Sequence, residues 1–208
     1  MLATLLPALR FTLPASGKLD PHTLFTPPVD AVALEVGFGA GEHLAQQAIA
    51  APGTGFIGCE VFENGVVKLV AEAKRLRLAN LRLFIDDARL LLEALPEASL
   101  ARAFVLFPDP WPKLRHHKRR FVSTATLDRL AYALGNGAEL RLATDDSDYL
   151  LWMLERLTAH RAFEWLARRP ADWRERPTDW PPTRYEEKAI AAGRTPVFLR
   201  FRRRPRAA

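Results

Sequence analysis

The sequence is poor in cysteine, with only Cys59 among its 208 residues. A single thiol excludes an internal disulfide and any metal site built from several cysteines. Cys59 follows the apolar stretch at residues 56–58, which indicates a small residue of the core rather than a nucleophile.

Long apolar runs are also missing. No window of 18 residues is both apolar and free of charge, whereas a transmembrane helix needs about 20 such residues. The first ten residues are too short to span a membrane, and no positively charged segment precedes them. We therefore expect a soluble, cytoplasmic protein that has no membrane partner.

The sequence shows no Ser/His/Asp or Cys/His constellation of the kind that activates a nucleophile. His116 and His117 are adjacent, but no third residue stands at a spacing typical of metal ligands. We predict that the protein holds no metal.

The length and the 49% hydrophobic content suffice for one α/β domain with a sizeable core. A net charge of +6 makes an anionic partner plausible. Five arginines lie within residues 200–206, so a solvated tail would account for much of that charge. Local clusters of charge are therefore more informative than the total.

Strand and helix patterns alternate along the chain, with no internal repeat and no second domain. Residues 1–30 carry five prolines and no clear period, which predicts an irregular N-terminal arm before a single domain at residues 31–208. Strands are predicted at residues 32–36, 56–61, 81–85, 101–107, 138–143, 162–166 and 196–202. Helices are predicted at residues 42–49, 65–78, 88–95, 123–134 and 146–160, and a loop at residues 170–185. This alternation predicts a mostly parallel, doubly wound, seven-stranded α/β sheet.

Acidic residues stand at or just before the ends of five successive predicted strands. They are Glu35, Glu60, Asp87, Asp109 and Asp145. Because ligands of such sheets bind beyond the carboxyl ends of the strands, these side chains are candidates for one binding site.

A glycine-rich turn, G-x-G-x-G from Gly37 to Gly41, follows the first strand and allows close approach of a ligand to the backbone. A nicotinamide cofactor is one interpretation, because Glu60 stands about where a ribose-binding acid is expected. The spacing, however, is not G-x-G-x-x-G, and Glu35 would repel a pyrophosphate. S-adenosyl-L-methionine, a cationic nucleoside without phosphates, suits the acids better, with Asp87 near its adenine. The alternative for Glu35 is a helix cap or a salt bridge beneath the turn.

The most informative segment, residues 104–122, begins as an apolar strand and continues as Pro-Asp-Pro-Trp-Pro. Alternating prolines prevent a helix or a central strand, so the chain leaves the sheet as a stiff loop. That loop carries the carboxylate of Asp109 and the ring of Trp111. A dense basic run follows, consisting of Arg115, His116, His117, Lys118, Arg119 and Arg120. The combination favours a pocket for a polar ring next to a grip on phosphates.

Several motifs together resemble the bacterial tRNA (guanine-N7-)-methyltransferases over residues 31–202. They are L-E-V-G-F-G-A-G, F-I-G-C-E-V, N-L-R-L-F-I-D-D-A, F-P-D-P-W-P-K-L-R-H-H-K-R-R, L-A-T-D and T-R-Y-E-E-K. The resemblance implies a Rossmann-like class I methyltransferase that uses S-adenosyl-L-methionine to methylate N7 of a guanine in the tRNA variable loop, at position 46. The family's N-terminal arm is expected to help grip the tRNA, and here that arm is short and proline-rich.

The resemblance also implies roles for individual residues. The cofactor-binding residues would be Glu35, Gly37, Glu60, Asp87 and Asp109. The substrate-binding residues would be Lys113, Asp145, Thr183, Arg184, Tyr185 and Glu186. The RNA-contacting residues would be Arg115, His116, His117, Lys118, Arg119 and Arg120.

This chemistry explains why no general base is visible. Guanine N7 carries an in-plane lone pair and no proton, so positioning of the reactants is expected to dominate the rate. Asp109 is the candidate catalytic residue, because a carboxylate near the ring would stabilise the developing positive charge. Trp111 either stacks on a base or anchors the loop.

Two other functions compete with this one. A methyltransferase of the same fold acting on a protein or small molecule would leave the basic run unexplained. A non-catalytic RNA-binding protein would not need the acids at the strand ends. We expect a monomer or a homodimer.

Overall fold

The computed structural model describes residues 2–207, which form seven strands in one sheet with helices on both faces. The strands are β1 (Ala31–Val36), β2 (Thr54–Cys59), β3 (Leu81–Phe84), β4 (Leu100–Leu106), β5 (Leu134–Thr144), β6 (Phe163–Trp165) and β7 (Val197–Arg203). The helices are α1 (Leu2–Leu9), α2 (Glu42–Ala50), α3 (Glu63–Leu76), α4 (Ala88–Ala94), α5 (Thr124–Ala133), α6 (Ser147–Ala159), α7 (Ala171–Arg174) and α8 (Arg184–Ala191). Within residues 2–207, no helix combines the length and the apolar character needed to cross a bilayer.

The strand order is β3-β2-β1-β4-β5-β7-β6, and β7 is antiparallel to both of its neighbours. Strands β1 to β5 pair in parallel, which confirms the predicted mostly parallel α/β sheet. Strand order reverses between β1 and β4, where Val36 pairs with Val105. A crevice opens beyond the carboxyl ends of strands at such a reversal, so the fold itself marks a binding site there.

Successive side chains of β1 pack alternately into two hydrophobic clusters, one on each face of the sheet. Leu34 packs in the cluster that includes Leu91 of α4, whereas Ala33 packs in the cluster that includes Leu69 of α3. Successive side chains of a strand point to opposite faces, so a buried central strand must be apolar on both.

The N-terminal segment is more regular than predicted. Residues Leu2–Leu9 form α1, and Pro21–Leu24 form a short 3₁₀ helix capped by Asp20, so the expectation of an irregular arm was wrong. The helix α1 is apolar almost throughout, and Leu9 at its end is buried in the core, so tertiary packing stabilises this helix. Beyond α1, the amide of Phe11 donates to the carbonyl of Leu83 at 3.1 Å, so the arm runs beside β3.

Two other boundaries differ from prediction. Residues 135–137, expected to end a helix, lie inside β5, because Gly137 accommodates a φ of +81° where the pairing with β4 shifts register. The segment 170–185, expected to be a loop, contains α7 and leads into α8. Within it Trp180 is buried, so this segment is part of the packed structure.

The C-terminal arginines are not a free tail. Arg203 donates from Nε to the carbonyl of Ala131 at 2.8 Å, and Arg206 donates to the carbonyl of Tyr132 at 2.7 Å. Both carbonyls lie in the last turn of α5, where cations are favourable to the helix dipole. These side chains therefore stabilise a helix end.

Candidate cofactor and RNA site

A cavity of about 270 Å³ lies at the carboxyl ends of β1, β2 and β4. Its lining includes Gly37, Glu60, Phe62, Asp87, Arg89, Asp109, Trp111, Arg119, Phe121 and Tyr185. Four of the five residues predicted to bind the cofactor are in this wall, and they come from loops after four different strands. The strand ends converge as the fold requires.

The glycine turn forms a cradle on one side of the cavity. Gly37 has a φ of +70°, and a Cβ added there would meet no atom within 4 Å, so its backbone faces open space. Gly39 lies under the ring of Tyr185, where an added Cβ would come within 2.9 Å of that ring. A ligand can therefore lie directly against the backbone at Gly37, with Tyr185 beside it.

Glu60 is buried and its carboxylate organises the loops around the cavity. One oxygen accepts from the amide of Gly39 at 2.8 Å, and the other accepts from the amides of Val61 and Phe62 at 2.8 and 3.0 Å. This carboxylate therefore fixes the glycine turn relative to the end of β2.

Glu35 lies in β1, directly before Val36 and Gly37 of the cavity wall. Its carboxylate is buried and lies 2.6 Å from Nδ1 of His43 on α2, and it is not part of the cavity wall. This contact beneath the glycine turn corresponds to the alternative for Glu35, and its role in cofactor binding stays a prediction. The partner His43 also contacts Phe104 edge to face, with ring centroids 4.7 Å apart.

Asp87 begins α4 and lines the cavity. One oxygen caps the helix by accepting from the amide of Arg89 at 2.9 Å, and the other pairs with the Arg89 guanidinium at 2.9 Å. Arg89 in turn lies over the ring of Phe121, 5.4 Å from its centroid. The sequence analysis did not predict Arg89 or Phe121 at the site, because neither residue is an acid at a strand end and neither is part of a periodic pattern.

Asp109 and Trp111 stand on the proline-rich loop at the mouth of the cavity. The Asp109 side chain is exposed, and within residues 2–207 its carboxylate has no hydrogen-bond partner and no ion pair. Trp111 adopts a φ of +45°, a conformation that is rare for a bulky residue. Its ring lies 4.8 Å from the guanidinium of Arg119 and meets His116 edge to face. Both residues are thus available to a ligand.

The basic run forms a 3₁₀ helix at Leu114–Arg119. The side chains of Arg115, Lys118 and Arg119 are exposed, whereas those of His116 and His117 are half-buried. His117 packs edge to face on Trp152, with ring centroids 5.4 Å apart.

Arg120 is a correction to the predicted RNA contacts. It is only 1% exposed, donates from Nε to the carbonyl of Pro110 at 2.7 Å, and pairs with Asp148. Its guanidinium also lies over the rings of Tyr149 and Trp152. A guanidinium held in this way cannot reach a phosphate, so Arg120 anchors the loop instead.

The residues expected on the substrate side fall into two groups. Lys113, Arg184 and Tyr185 are exposed, and Tyr185 lines the cavity. Thr183 caps α8 by accepting from the amide of Glu186 at 3.1 Å, and Glu186 is buried against Arg176 at 3.1 Å.

Asp145 pairs with Arg194 at 2.6 Å and is not part of the cavity wall. The structure therefore brings Tyr185 to the site. Thr183 and Glu186 stabilise the start of α8, the helix that carries Tyr185. The Asp145–Arg194 ion pair connects the chain after α8 to the end of β5.

Comparisons with known proteins agree on the family. A family model described as "Putative methyltransferase" matches residues 30–199. The tRNA (guanine-N(7)-)-methyltransferase of Rhodospirillum rubrum is 54% identical over 100% of this chain and 83% of the relative. The enzyme of the same name from Paramagnetospirillum magneticum is 51% identical over 99% of this chain and 87% of the relative.

This chain belongs to the tRNA (guanine-N(7)-)-methyltransferase family. The family predicted from the motifs is thereby confirmed.

Solved structures show the same fold at low identity. TrmN from Thermus thermophilus superposes with a TM-score of 0.61 at 17% identity, covering 84% of this chain and 44% of that chain. A putative methyltransferase from Streptococcus mutans in complex with SAH superposes with a TM-score of 0.54 at 12% identity, covering 84% and 89%. The Rossmann-like class I methyltransferase fold is confirmed, and S-adenosyl-L-methionine is the methyl donor that family and fold indicate.

The wall of the cavity fits a cationic nucleoside of that kind. The cradle at Gly37 is open, and the Asp109 carboxylate is unpartnered within the described residues 2–207. Carboxylates outnumber cations in the wall of this cavity. Burial raises the pKa of the Tyr185 phenol, and the carboxylates of Glu60, Asp109 and Glu42 raise it further. Burial likewise raises the pKa of the Cys59 thiol. Both groups therefore stay neutral next to a cation.

In residues 2–207 no three His, Cys, Asp or Glu side chains are grouped as a metal ion would require.

The sequence analysis did not single out Arg141, a charged residue in the middle of β5. The signal was available, because a charge inside the apolar run L-R-L-A-T must be paired if that strand is buried.

Proposed function

We propose that this protein transfers a methyl group from S-adenosyl-L-methionine to N7 of the guanine at position 46, in the variable loop of tRNA. The observation that carries the proposal is that Asp109, Trp111 and Arg119 line one cavity. A free carboxylate, an aromatic face and the start of an exposed basic surface meet at the point where the glycine turn leaves room for a cofactor. A tRNA substrate also supports a cytoplasmic location for the enzyme.

The reaction needs orientation more than it needs proton transfer. When bound, S-adenosyl-L-methionine would supply the methyl group from its sulfonium, and the electron pair of the broken methyl–sulfur bond would stay on the sulfur. The N7 lone pair of guanine would form the new bond to the methyl carbon, which makes the purine cationic. N7 carries no proton, which agrees with a cavity wall that, within residues 2–207, includes no His or Lys side chain. Holding two reactants in line supplies much of the acceleration of such a step.

Asp109 is assigned the catalytic role. Its unpartnered carboxylate stabilises positive charge as it develops on the purine, and it also accepts from the N–H edge of guanine. Of the other cavity residues, Gly37, Glu60 and Asp87 hold the cofactor. Glu60 does so mainly by fixing the turn at Gly39, since three backbone amides already bind its carboxylate.

The substrate side is assigned to Lys113 and to α8. Tyr185 and Arg184 face the ligand, whereas Thr183, Glu186 and Asp145 hold them in place through the contacts of that helix.

The RNA surface is assigned to Arg115, Lys118 and Arg119, with His116 and His117 beside them. These cations are exposed and follow directly from the loop of Asp109. Phosphate contacts release counterions, so tRNA affinity should fall steeply as salt is added. Unchanged affinity after addition of about 0.2 M salt would remove this segment from the RNA surface.

The test is a methyl-transfer assay with unmodified tRNA transcript and labelled S-adenosyl-L-methionine, followed by identification of the labelled nucleoside. We expect label in 7-methylguanosine, and loss of that label when the guanine at position 46 is replaced. If 7-methylguanosine is labelled at another position of the tRNA, the assignment to position 46 is wrong. If another nucleoside is labelled, the assignment of guanine N7 as the methylated atom is wrong.

The role of Asp109 is tested in the same assay. Asp109→Ala and Asp109→Asn should both reduce the single-turnover rate by about 10²-fold or more, because each removes the charge that stabilises the product-like purine. Near-normal turnover of Asp109→Ala at saturating tRNA would show that Asp109 is not the catalytic residue.

A further inference from the structure

A second cavity, of about 310 Å³, adjoins the cofactor cavity. The two share Glu60, Phe62 and Tyr185 in their walls. The remaining wall of the second cavity comes from the glycine turn, α3, α8 and the first residue of α2. It is therefore a separate pocket that begins where Tyr185 and Phe62 border the first.

Three cations converge on this second cavity from two helices. Lys68 comes from α3, and Arg184 and Lys188 come from α8. Within residues 2–207, neither Lys68 nor Lys188 takes part in a salt bridge or donates a side-chain hydrogen bond, and both are exposed. Convergence of unpaired like charges is unfavourable in the isolated protein and becomes favourable when an anion binds.

The carboxylates in the same wall do not cancel these charges. Glu60 is buried and accepts from three backbone amides, and Glu42 lies 3.8 Å from Arg184, where it offsets one cation. Three cations and two carboxylates therefore leave this wall with a net positive charge of one.

Exposed aromatic rings stand between the two cavities. Phe62 is 68% exposed and Tyr185 is 51% exposed, although large apolar side chains are usually buried. The ammonium of Lys188 lies 5.8 Å from the centroid of the Tyr185 ring. Aromatic rings interleaved with cations are typical of surfaces that bind single-stranded nucleic acid.

We propose that Lys68, Arg184 and Lys188 form a second phosphate-binding surface for the tRNA, on the side of Tyr185 away from Arg119. The proposal rests on the tRNA substrate assigned above. A nucleotide whose base enters the cofactor cavity carries one phosphate on its 5′ side and another on its 3′ side. Arg115, Lys118 and Arg119 serve one side of the entrance, and the second surface serves the other. Flipped bases are held by such flanking contacts.

The test compares two double variants of equal charge. Lys68→Ala with Lys188→Ala removes the proposed contacts. Lys74→Ala with Arg129→Ala removes two exposed cations from positions that line neither cavity, one of them on the same helix α3. Binding of unmodified tRNA transcript is measured over a series of salt concentrations, together with S-adenosyl-L-methionine affinity and the urea midpoint of each variant.

For Lys68→Ala with Lys188→Ala, the slope of log Kd against log salt should fall by about 1.4–1.8, since each lost phosphate contact contributes about 0.7–0.9. Affinity for tRNA at low salt should weaken by roughly tenfold or more. Cofactor affinity and the urea midpoint should stay unchanged, and the control pair should keep the wild-type slope.

Equal slopes for the two double variants would overturn the inference. The wild-type protein separates this failure from failure of the proposed function. If it forms 7-methylguanosine in tRNA while both variants bind alike, the second surface is wrong and the function stands. If it forms none, the function is wrong, and with it the inference that rests on it.

Discussion

The guanidinium of Arg141 lies 2.7 Å from the carboxylate of Asp179, and its Nε lies 2.8 Å from the carboxylate of Glu139. The side chain of Arg141 is only 3% exposed. Next to this contact Trp180 is buried over the same guanidinium, and Gln47 donates to the carbonyl of Asp179 at 2.8 Å. The strand β5 is thereby tied to the segment that leads into α8 and Tyr185.

Replacing Arg141 should destabilise the fold strongly. Arg141→Met leaves Glu139 and Asp179 without this partner, and removing one member of a buried pair costs about 3–5 kcal/mol. We expect a loss near the lower end, because Arg200 still pairs with Glu139 at 2.8 Å. The measurement is the free energy of unfolding in urea.

The matched control is Asp179→Asn. The Asp179 side chain is 55% exposed, so this variant should lose less than about 1 kcal/mol. Equal losses for the two variants would show that Arg141 is not held by a buried network.

Stability should fall in acid partly through Glu139. Burial raises the pKa of this carboxyl, but hydrogen bonds from Arg200 and Arg141 outweigh burial and hold the pKa below its ordinary value of 4.5. A lowered pKa in the folded state contributes stability that is fully present above about pH 4.5 and is lost as the pH falls through the lower, folded value. Urea unfolding of the wild type and of Glu139→Gln should therefore differ most near neutral pH. A difference that stays constant down to about pH 3.5 would contradict this origin of acid sensitivity.

Gly37 should matter for the cofactor more than for the fold. A side chain at a φ of +70° costs about 1–2 kcal/mol, and a methyl group there would occupy the cradle. Gly37→Ala should therefore lose stability and also bind S-adenosyl-L-methionine at least tenfold more weakly, as measured by calorimetry. Gly17 offers the control, since it has a φ of +84° with no atom near an added Cβ. Gly17→Ala should lose similar stability and keep wild-type affinity, and loss of affinity in both variants would refute a specific cradle.

The basic run should separate into a structural part and a binding part. Arg120→Met removes the hydrogen bond to the Pro110 carbonyl and the pair with Asp148, and should cost about 1.5–3 kcal/mol in unfolding free energy. Arg115→Met should change stability by no more than about 0.5 kcal/mol, because its side chain is exposed. It should instead lower the salt slope of tRNA binding by about 0.7–0.9. The opposite assignment, with Arg115 needed for stability and Arg120 for the slope, would contradict the structure.

The order of strands and helices followed from the sequence because it depends on local patterns. Alternating strand and helix periods require a parallel sheet, and a parallel sheet brings the chain segments after β1, β2, β3 and β4 to one edge. For that reason the five acids at the strand ends could be grouped from the residue pattern alone. Glu60, Asp87 and Asp109 do line one cavity, whereas Glu35 and Asp145 lie outside its wall.

The individual partners of charged residues could not be predicted in the same way. Glu35 stands at a strand end like the other acids, and only the packing of α2 places His43 against it. Arg120 closes a run of six basic residues, and its burial depends on Asp148, which lies 28 positions further along the chain.

The contact between the N-terminal arm and β3 has a consequence for self-association. Strand β3 is the first strand of the sheet, so its outer side carries backbone groups with no neighbouring strand. There the amide of Phe11 binds the carbonyl of Leu83, and the ring of Phe11 lies 5.6 Å from that of Phe84. An open sheet edge is a template on which another molecule can add a strand and begin to aggregate. The N-terminal arm thus covers the open edge of the sheet. Deletion of the arm should promote aggregation through β3, and it should do so at a point where the cavity at the carboxyl ends of the strands is still intact.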